Sequence, residues 1–188
     1  ASLSPTTSHD LGFNIADHLG RTLVYSVWMP RHGTTLSYML RSVLERFKDS
    51  GIKPGDMIMV NNPYDGALHL YDIAVLAPVH YSGELIAWVG CATHHMDIRA
   101  MRPMATPDAK DWFQEGIVFR PIKLVEQGNL REDVFNLYLD NVRMPLYQGL
   151  DLKSQIAANN VAKQKILELV KRYGVDVLKA SYEEILDF

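Results

Sequence analysis

The chain has 188 residues, 47% of them hydrophobic and 22% charged, with a formal net charge of -3. That length accommodates one well-filled core, or one domain with an appendage. The mild acidity excludes the basic stripe of a nucleic-acid binder, no apolar run is long enough to span a bilayer and no charged-then-apolar leader opens the sequence, so a soluble, cytoplasmic protein is expected, bound to neither nucleic acid nor membrane.

In chain order, residues 1–10 are a polar lead-in. Residues 12–17 alternate, residues 18–21 turn, and residues 22–28 are rich in β-formers, which predicts a hairpin. Met29-Pro30-Arg31-His32-Gly33 breaks that strand. A helix is predicted to open near Thr34 or Thr35, with Leu36, Met39, Leu40, Val43, Leu44 and Phe47 on one stripe and Gly51 at its end. Met57–Val60 is a short apolar run, the signature of a strand covered on both faces.

Residues 61–97 organise the rest. The apolar runs Ile73–Val79 and Leu85–Cys91 predict two strands joined by the Tyr81-Ser82-Gly83-Glu84 turn. His69 and Asp72 precede the first run, and His94, His95 and Asp97 follow the second. A hairpin would bring the two groups to one sheet edge, where imidazole and carboxylate can hold a divalent metal. On a strand, His95 and Asp97 would share a face. If the strand has already ended, His94 and Asp97 converge instead. Taken alone, His69 with Asp72 reads first as a turn satisfying backbone groups and only second as a ligand pair. His32 in its Pro-Arg-His-Gly turn reads as structural, and Cys91, the single cysteine, as a buried thiol that excludes an intrachain disulfide.

Residues 98–111 are a loop, and the strand of residues 117–124 is interrupted by Pro121. A helix is predicted over residues 129–143, stopped by Met144-Pro145, then a long helix over residues 151–173 ended by Gly174 and a last amphipathic helix from residue 175. The fold expected is α/β, a mixed β-sheet with flanking helices and a C-terminal helical segment. Residues 1–128 form the metal-site domain and residues 129–188 a helical segment that continues in a longer chain or packs on a partner. No P-loop, Gly-x-Gly-x-x-Gly or Gly-x-Ser-x-Gly occurs, which leaves metal-assisted chemistry as the best enzymatic candidate.

Asn61-Asn62-Pro63-Tyr64, then Gly66-Ala67-Leu68-His69-Leu70-Tyr71-Asp72-Ile73, then His94-His95-Met96-Asp97-Ile98-Arg99-Ala100 run in the order of three family motifs. Those motifs are Asn-Asp-Pro-Tyr, Gly-Gly-Thr-His-Leu-Pro-Asp-Ile and His-His-x-Asp-Ile-Gly-Gly. Met29–Gly33 resembles the family's Ile-Pro-x-His segment, and Phe113–Gly116, Pro121–Leu124, Asn141–Arg143 and Asp151–Asn159 match its later landmarks. The chain thus resembles the N-terminal part of the hydantoinase B / oxoprolinase / acetone carboxylase alpha-subunit family over essentially its whole length. The resemblance implies that an ATP-binding hydantoinase A-type partner subunit activates the substrate, in a hetero-oligomer. This chain would carry a divalent metal (zinc, manganese or iron) on His69, Asp72, His94 and Asp97, with His32, His95 and Asn62 as catalytic neighbours. The substrate would be a cyclic amide to be opened or, in the carboxylase branch, a ketone to be carboxylated; a non-catalytic assembly subunit is the third alternative. Three departures from the family pattern stand out: Asn62 for aspartate, Arg99-Ala100 for Gly-Gly, and Ala67-Leu68 with Tyr71 for Gly-Thr and Pro.

Overall fold

The computed structural model describes the chain except residues 1, 3, 27, 28, 105 and 188. A seven-stranded sheet has the order β2-β1-β5-β4-β3-β6-β7. Its strands are β1 (Leu11–Asp17), β2 (Thr22–Tyr25), β3 (Met57–Val60), β4 (Asp72–Tyr81), β5 (Glu84–His94), β6 (Ile122–Glu126) and β7 (Asn129–Leu130). The helices are α1 (Pro30–Arg46), α2 (Glu132–Leu139), α3 (Pro145–Tyr173) and α4 (Val175–Leu186). The expected α/β architecture with a C-terminal helical segment is present. The strand directions correct the expected mixed sheet, for every described pairing is antiparallel. Short reversals join β1 to β2, β4 to β5 and β6 to β7, and partners joined so tightly must run antiparallel. The predicted hairpins are both found, although Val27 and Trp28 of the first lie outside the described residues.

The core is two layers separated by the sheet. On one face Leu36, Met39, Leu40 and Val43 of α1 pack on Ala16, Ile58, Val60, Ala74, Leu76, Trp88 and Ala92. On the other, Met57, Met59, Ile73, Val75, Ala77 and Val89 meet residues of α2, α3 and α4, among them Tyr138, Leu152, Ile166 and Val170. Alternate residues of β4 serve opposite layers, as the period of two in a strand requires. The same alternation decides which side chains can meet α1 and which meet α3.

Two helices begin earlier than their apolar stripes predict. Helix α1 starts at Pro30 and α3 at Pro145. At the first helical position the missing proline N–H leaves no intrahelical bond unmade, so a proline that stops one element can start the next. Gly33 follows inside α1, where a Cβ would stand 2.7 Å from Cβ of Tyr25, so the helix approaches β2 closely. Helix α2 is shorter than predicted, because residues 129–130 pair with β6 as β7. Helix α3 is stitched to the sheet by polar side chains: Gln155 donates to the carbonyls of Ile73 and Cys91, and Asn159 to that of Val75. Among the described residues, no helix is long and apolar enough to cross a membrane.

Candidate metal centre

Asp72 opens β4 and His94 closes β5, and the antiparallel register sets them opposite one another. Directly paired residues share a face, and here that face is the α1 side. Asp72 Oδ1 lies 3.4 Å from Nδ1 of His94, and Asp72 Oδ2 lies 3.4 Å from Nδ1 of His69. One potential ligand atom each from His69, Asp72 and His94 falls within 4.8 Å of the others. His69 reaches this point because its loop is stapled from below. Buried Asn61 donates to the carbonyls of Leu70 and Ile117 and accepts from the N–H of Phe119.

Two further residues join the group. His32, in the first turn of α1, places Nδ1 3.8 Å from Asp72 Oδ2, and its Nε2 shares a 2.7 Å hydrogen bond with Asp10 Oδ1. Asp10 Oδ2 in turn lies 3.9 Å from Nδ1 of His94. Asp10 carries no sequence signal, since it sits in the polar lead-in with no motif around it. Only strand register marks it. Leu11 pairs with Thr93, so the residue before it arrives beside His94, whose N–H bonds the Asp10 carbonyl at 3.0 Å.

Nδ1 of His32, His69 and His94 and both carboxylate oxygens of Asp72 are buried without a hydrogen-bond partner among the described residues. Each such atom costs about 1–3 kcal/mol if nothing satisfies it. A divalent cation would satisfy inward-facing lone pairs together, and a donor set of imidazole and carboxylate suits zinc, manganese or iron. These residues therefore fit the metal that the family pattern implies. The His69 side chain is 42% exposed, so the group is open on one side.

The electrostatics are those of a mixed cluster. Burial acts to raise the Asp10 carboxyl, but the hydrogen bond from His32 and the nearby His32, His94 and Arg31 charges outweigh it and hold the pKa below the ordinary value. Burial depresses His69, with Asp72 opposing. Burial also acts against protonation of His94, yet Asp72 and Asp10 prevail and raise its pKa.

The structure places three sequence candidates elsewhere. Asp97 is fully buried and takes Arg143, which contacts it through Nη1 at 2.6 Å and through a short backbone N–H bond. A residue so engaged is spoken for by the α2–α3 junction. His95 points to the opposite face from His94, where Nδ1 pairs with the Tyr138 hydroxyl at 2.7 Å and Nε2 with Gln155 Oε1 at 3.1 Å. Desolvation takes its pKa down to about 4. Asn62 caps the short 3-10 turn Pro63–Asp65, accepting from the N–H of Tyr64 and donating to Asp65 at 2.6 Å. Arg99, where the family pattern has glycine, adopts a left-handed φ of 65° and donates its N–H to Asp97. Cys91 is buried, and desolvation pushes its thiol up to about 12, as suits a structural thiol.

Comparison with known proteins adds to this geometry. Residues 2–188 match the family model described as Hydantoinase B/oxoprolinase. The chain is 38% identical to caprolactamase subunit beta of Pseudomonas jessenii over 181 residues, which is 96% of this chain and 31% of that protein. The crystal structure of ATP-dependent caprolactamase from Pseudomonas jessenii superposes with a TM-score of 0.89 at 38% identity, over 94% of this chain and 31% of that one. The nucleotide-free structure of acetone carboxylase gives 0.86 at 27% identity, over 97% and 24%. The chain thus spans only about a third of the length of this curated relative.

Proposed function

The chain belongs to the hydantoinase B/oxoprolinase family, and from that premise we propose that it carries the metal centre of an ATP-dependent, hydantoinase/oxoprolinase-type complex that opens a cyclic amide. The observation that carries the reading is the convergence of five buried, unpartnered polar atoms from His32, His69, Asp72 and His94. His69, Asp72 and His94 hold the metal, with Asp10 at its flank. His32, clasped by Asp10 and facing Asp72, orients both carboxylates. A divalent ion there supplies a Lewis acid for an amide or acyl-phosphate oxygen and lowers the pKa of a bound water. The partner is an ATP-binding hydantoinase A-type subunit that activates the substrate by phosphorylation. The exposed side of His69 is the way in. Asp97 and His95 support the site from beneath it.

The 38% identity to caprolactamase subunit beta favours cyclic-amide opening over ketone carboxylation. The carboxylase reading is kept because the acetone carboxylase scaffold superposes over 97% of the chain. It uses the same metal site and differs in product.

The test is elemental analysis of the chain co-expressed with its ATP-binding partner, as wild type and as an Asp72→Ala, His94→Ala double variant. About one divalent ion per chain is expected in wild type and none in the variant. Metal at roughly a hundred times its Kd should stabilise wild type by about 2.7 kcal/mol over the chelator-treated protein. Product analysis with ATP then separates a ring-opened acid from a carboxylated ketone. Wild type without metal would leave only the assembly-subunit reading.

A further inference from the structure

The two ring nitrogens of His94 face different chemistry. Nδ1 is turned toward Asp72 and Asp10, at 3.4 and 3.9 Å. Nε2 lies 3.2 Å from the backbone carbonyl of Met104. The carbonyl and the carboxylates all only accept, but among the described residues only Nε2 makes a hydrogen bond, so in the neutral ring the geometry favours the proton on Nε2 and the lone pair on Nδ1. The Met104 carbonyl thereby favours the tautomer that aims a ligand lone pair into the cluster, against Asp72 and Asp10, which would accept a proton from Nδ1.

Met104 belongs to an irregular loop and takes a left-handed φ of 71°. Such a backbone holds its carbonyl in place only if it is braced. Its own N–H donates to the Met96 carbonyl at 2.7 Å. From below, the Arg143 guanidinium grips the loop at two points, Asp97 through Nη1 at 2.6 Å and the Ala100 carbonyl through Nη2 at 2.5 Å. Gln148 also donates to the Asp97 carbonyl at 3.0 Å. From above, the buried Tyr71 ring stacks on His94, with centroids 5.3 Å apart and planes 7° from parallel. The Tyr71 hydroxyl donates to the Arg102 carbonyl at 2.8 Å, two residues before Met104. A proline at this position, as in the family pattern, has neither an aromatic face nor a hydroxyl.

We propose that Tyr71 and Arg143 are positioning residues that hold the 96–104 loop so that the Met104 carbonyl fixes the tautomer and ring plane of His94. The proposal rests on the reading of His94 as a ligand only for its consequence, not for its geometry. Tyr71 holds the ring by its face and the loop by its hydroxyl. Arg143 holds the loop through a forked contact that lysine cannot reproduce. Support of this kind is worth roughly ten- to a hundredfold in metal affinity when removed.

The experiment labels the histidines with ¹⁵N and reads the His94 tautomer by long-range ¹H–¹⁵N correlation, in metal-free protein at a pH where the ring is neutral. Wild type, Tyr71→Phe, Arg143→Lys and Arg143→Met are compared, and Zn²⁺ affinity is measured against a chromophoric chelator. Wild type should show the proton on Nε2. Both arginine variants should show a mixture of tautomers and bind Zn²⁺ about ten- to a hundredfold more weakly. Tyr71→Phe keeps the stacking and should lose roughly tenfold or less. If Arg143→Met does not fold, Arg143→Lys and Tyr71→Phe carry the comparison. A proton on Nδ1 in wild type overturns the proposal, as do unchanged tautomer and affinity in the folded variants. A tautomer shift in a chain that binds no Zn²⁺ keeps the positioning role and removes the metal reading instead.

Discussion

Acidification of the metal-free protein should expose the cost of burying His95 neutral. The ring is fully buried, and desolvation takes its pKa from 6.5 to about 4. Between those values the unfolded chain binds a proton that the folded chain refuses, so stability falls as pH falls. The loss at a given pH is RT ln of (1 + 10^(6.5-pH)) over (1 + 10^(4-pH)). That is about 0.2 kcal/mol at pH 7 and about 2 kcal/mol at pH 5. Urea unfolding with a chelator present, at both pH values, measures the difference for wild type and for His95→Gln. Glutamine can still bond Tyr138 and Gln155 but has no proton to gain. The wild-type loss between pH 7 and pH 5 should exceed that of the variant by about 2 kcal/mol. His94 has the opposite sign. Its raised pKa contributes stability that is complete below the unfolded value and is lost as pH rises through the folded one. Equal pH dependence in wild type and His95→Gln would refute the assignment of His95 as a buried neutral ring.

Two substitutions probe how the surrounding backbone shapes the site. At Gly12 an added Cβ would stand 2.5 Å from Cβ of His32, so Gly12→Ala must part β1 from α1; urea unfolding should show a loss of about 1–3 kcal/mol, and wild-type stability would mean that His32 does not need this close approach. Asn62→Asp restores the family residue but sets a carboxylate 2.6 Å from Asp65, whose ion-pair partner Arg120 is 3.6 Å away. It should cost on the order of 1–2 kcal/mol at pH 7 and recover below about pH 5, as one acid takes a proton; stability equal to wild type at pH 7 would contradict the contact.

The hairpin that delivers Asp72 and His94 was legible because both strands are continuous apolar runs with an unambiguous turn between them. What pattern alone could not settle was which of His94 and His95 faces the cluster, since that depends on where the strand ends. The register runs as far as His94 and so puts Asp72 opposite it. The starts of α1 and α3 lie upstream of their apolar stripes for one reason: Pro30 and Pro145 break the preceding element yet are at home in a first helical turn. The inward stripe of α3 was also obscured, because Gln155 and Asn159 face the core and bond strand carbonyls, where an apolar period expects aliphatic side chains. Asp10 had no local signal at all. It becomes visible only once β1 is known to lie beside β5.

The contrast between the two faces of the sheet end bears most directly on function. On the α3 side, His95 is answered by Tyr138 and Gln155, Asp97 by Arg143, and the Gln155 amide by two strand carbonyls, while single atoms of Thr93, Gln148 and Asp151 lack a hydrogen bond among the described residues. On the α1 side, Nδ1 of three histidines and both oxygens of Asp72 gather without a hydrogen-bond partner among the described residues. Other unpartnered polar atoms of the described residues, such as the Trp88 indole nitrogen, the Gln148 amide oxygen and Asp151 Oδ2, stand one to a residue. Here the Nδ1 atoms of His32, His69 and His94 stand 3.8, 3.4 and 3.4 Å from the oxygens of one carboxylate, that of Asp72. A fold able to satisfy the first set had the means to satisfy the second with a single arginine or amide, as it does at Asp97. Leaving lone pairs convergent and unanswered costs stability, and that cost is offset when a cation binds. On the proposed reading, the Asp97–Arg143 pair holds the loop beside the cluster while the His69–Asp72–His94 group keeps its lone pairs for a cation.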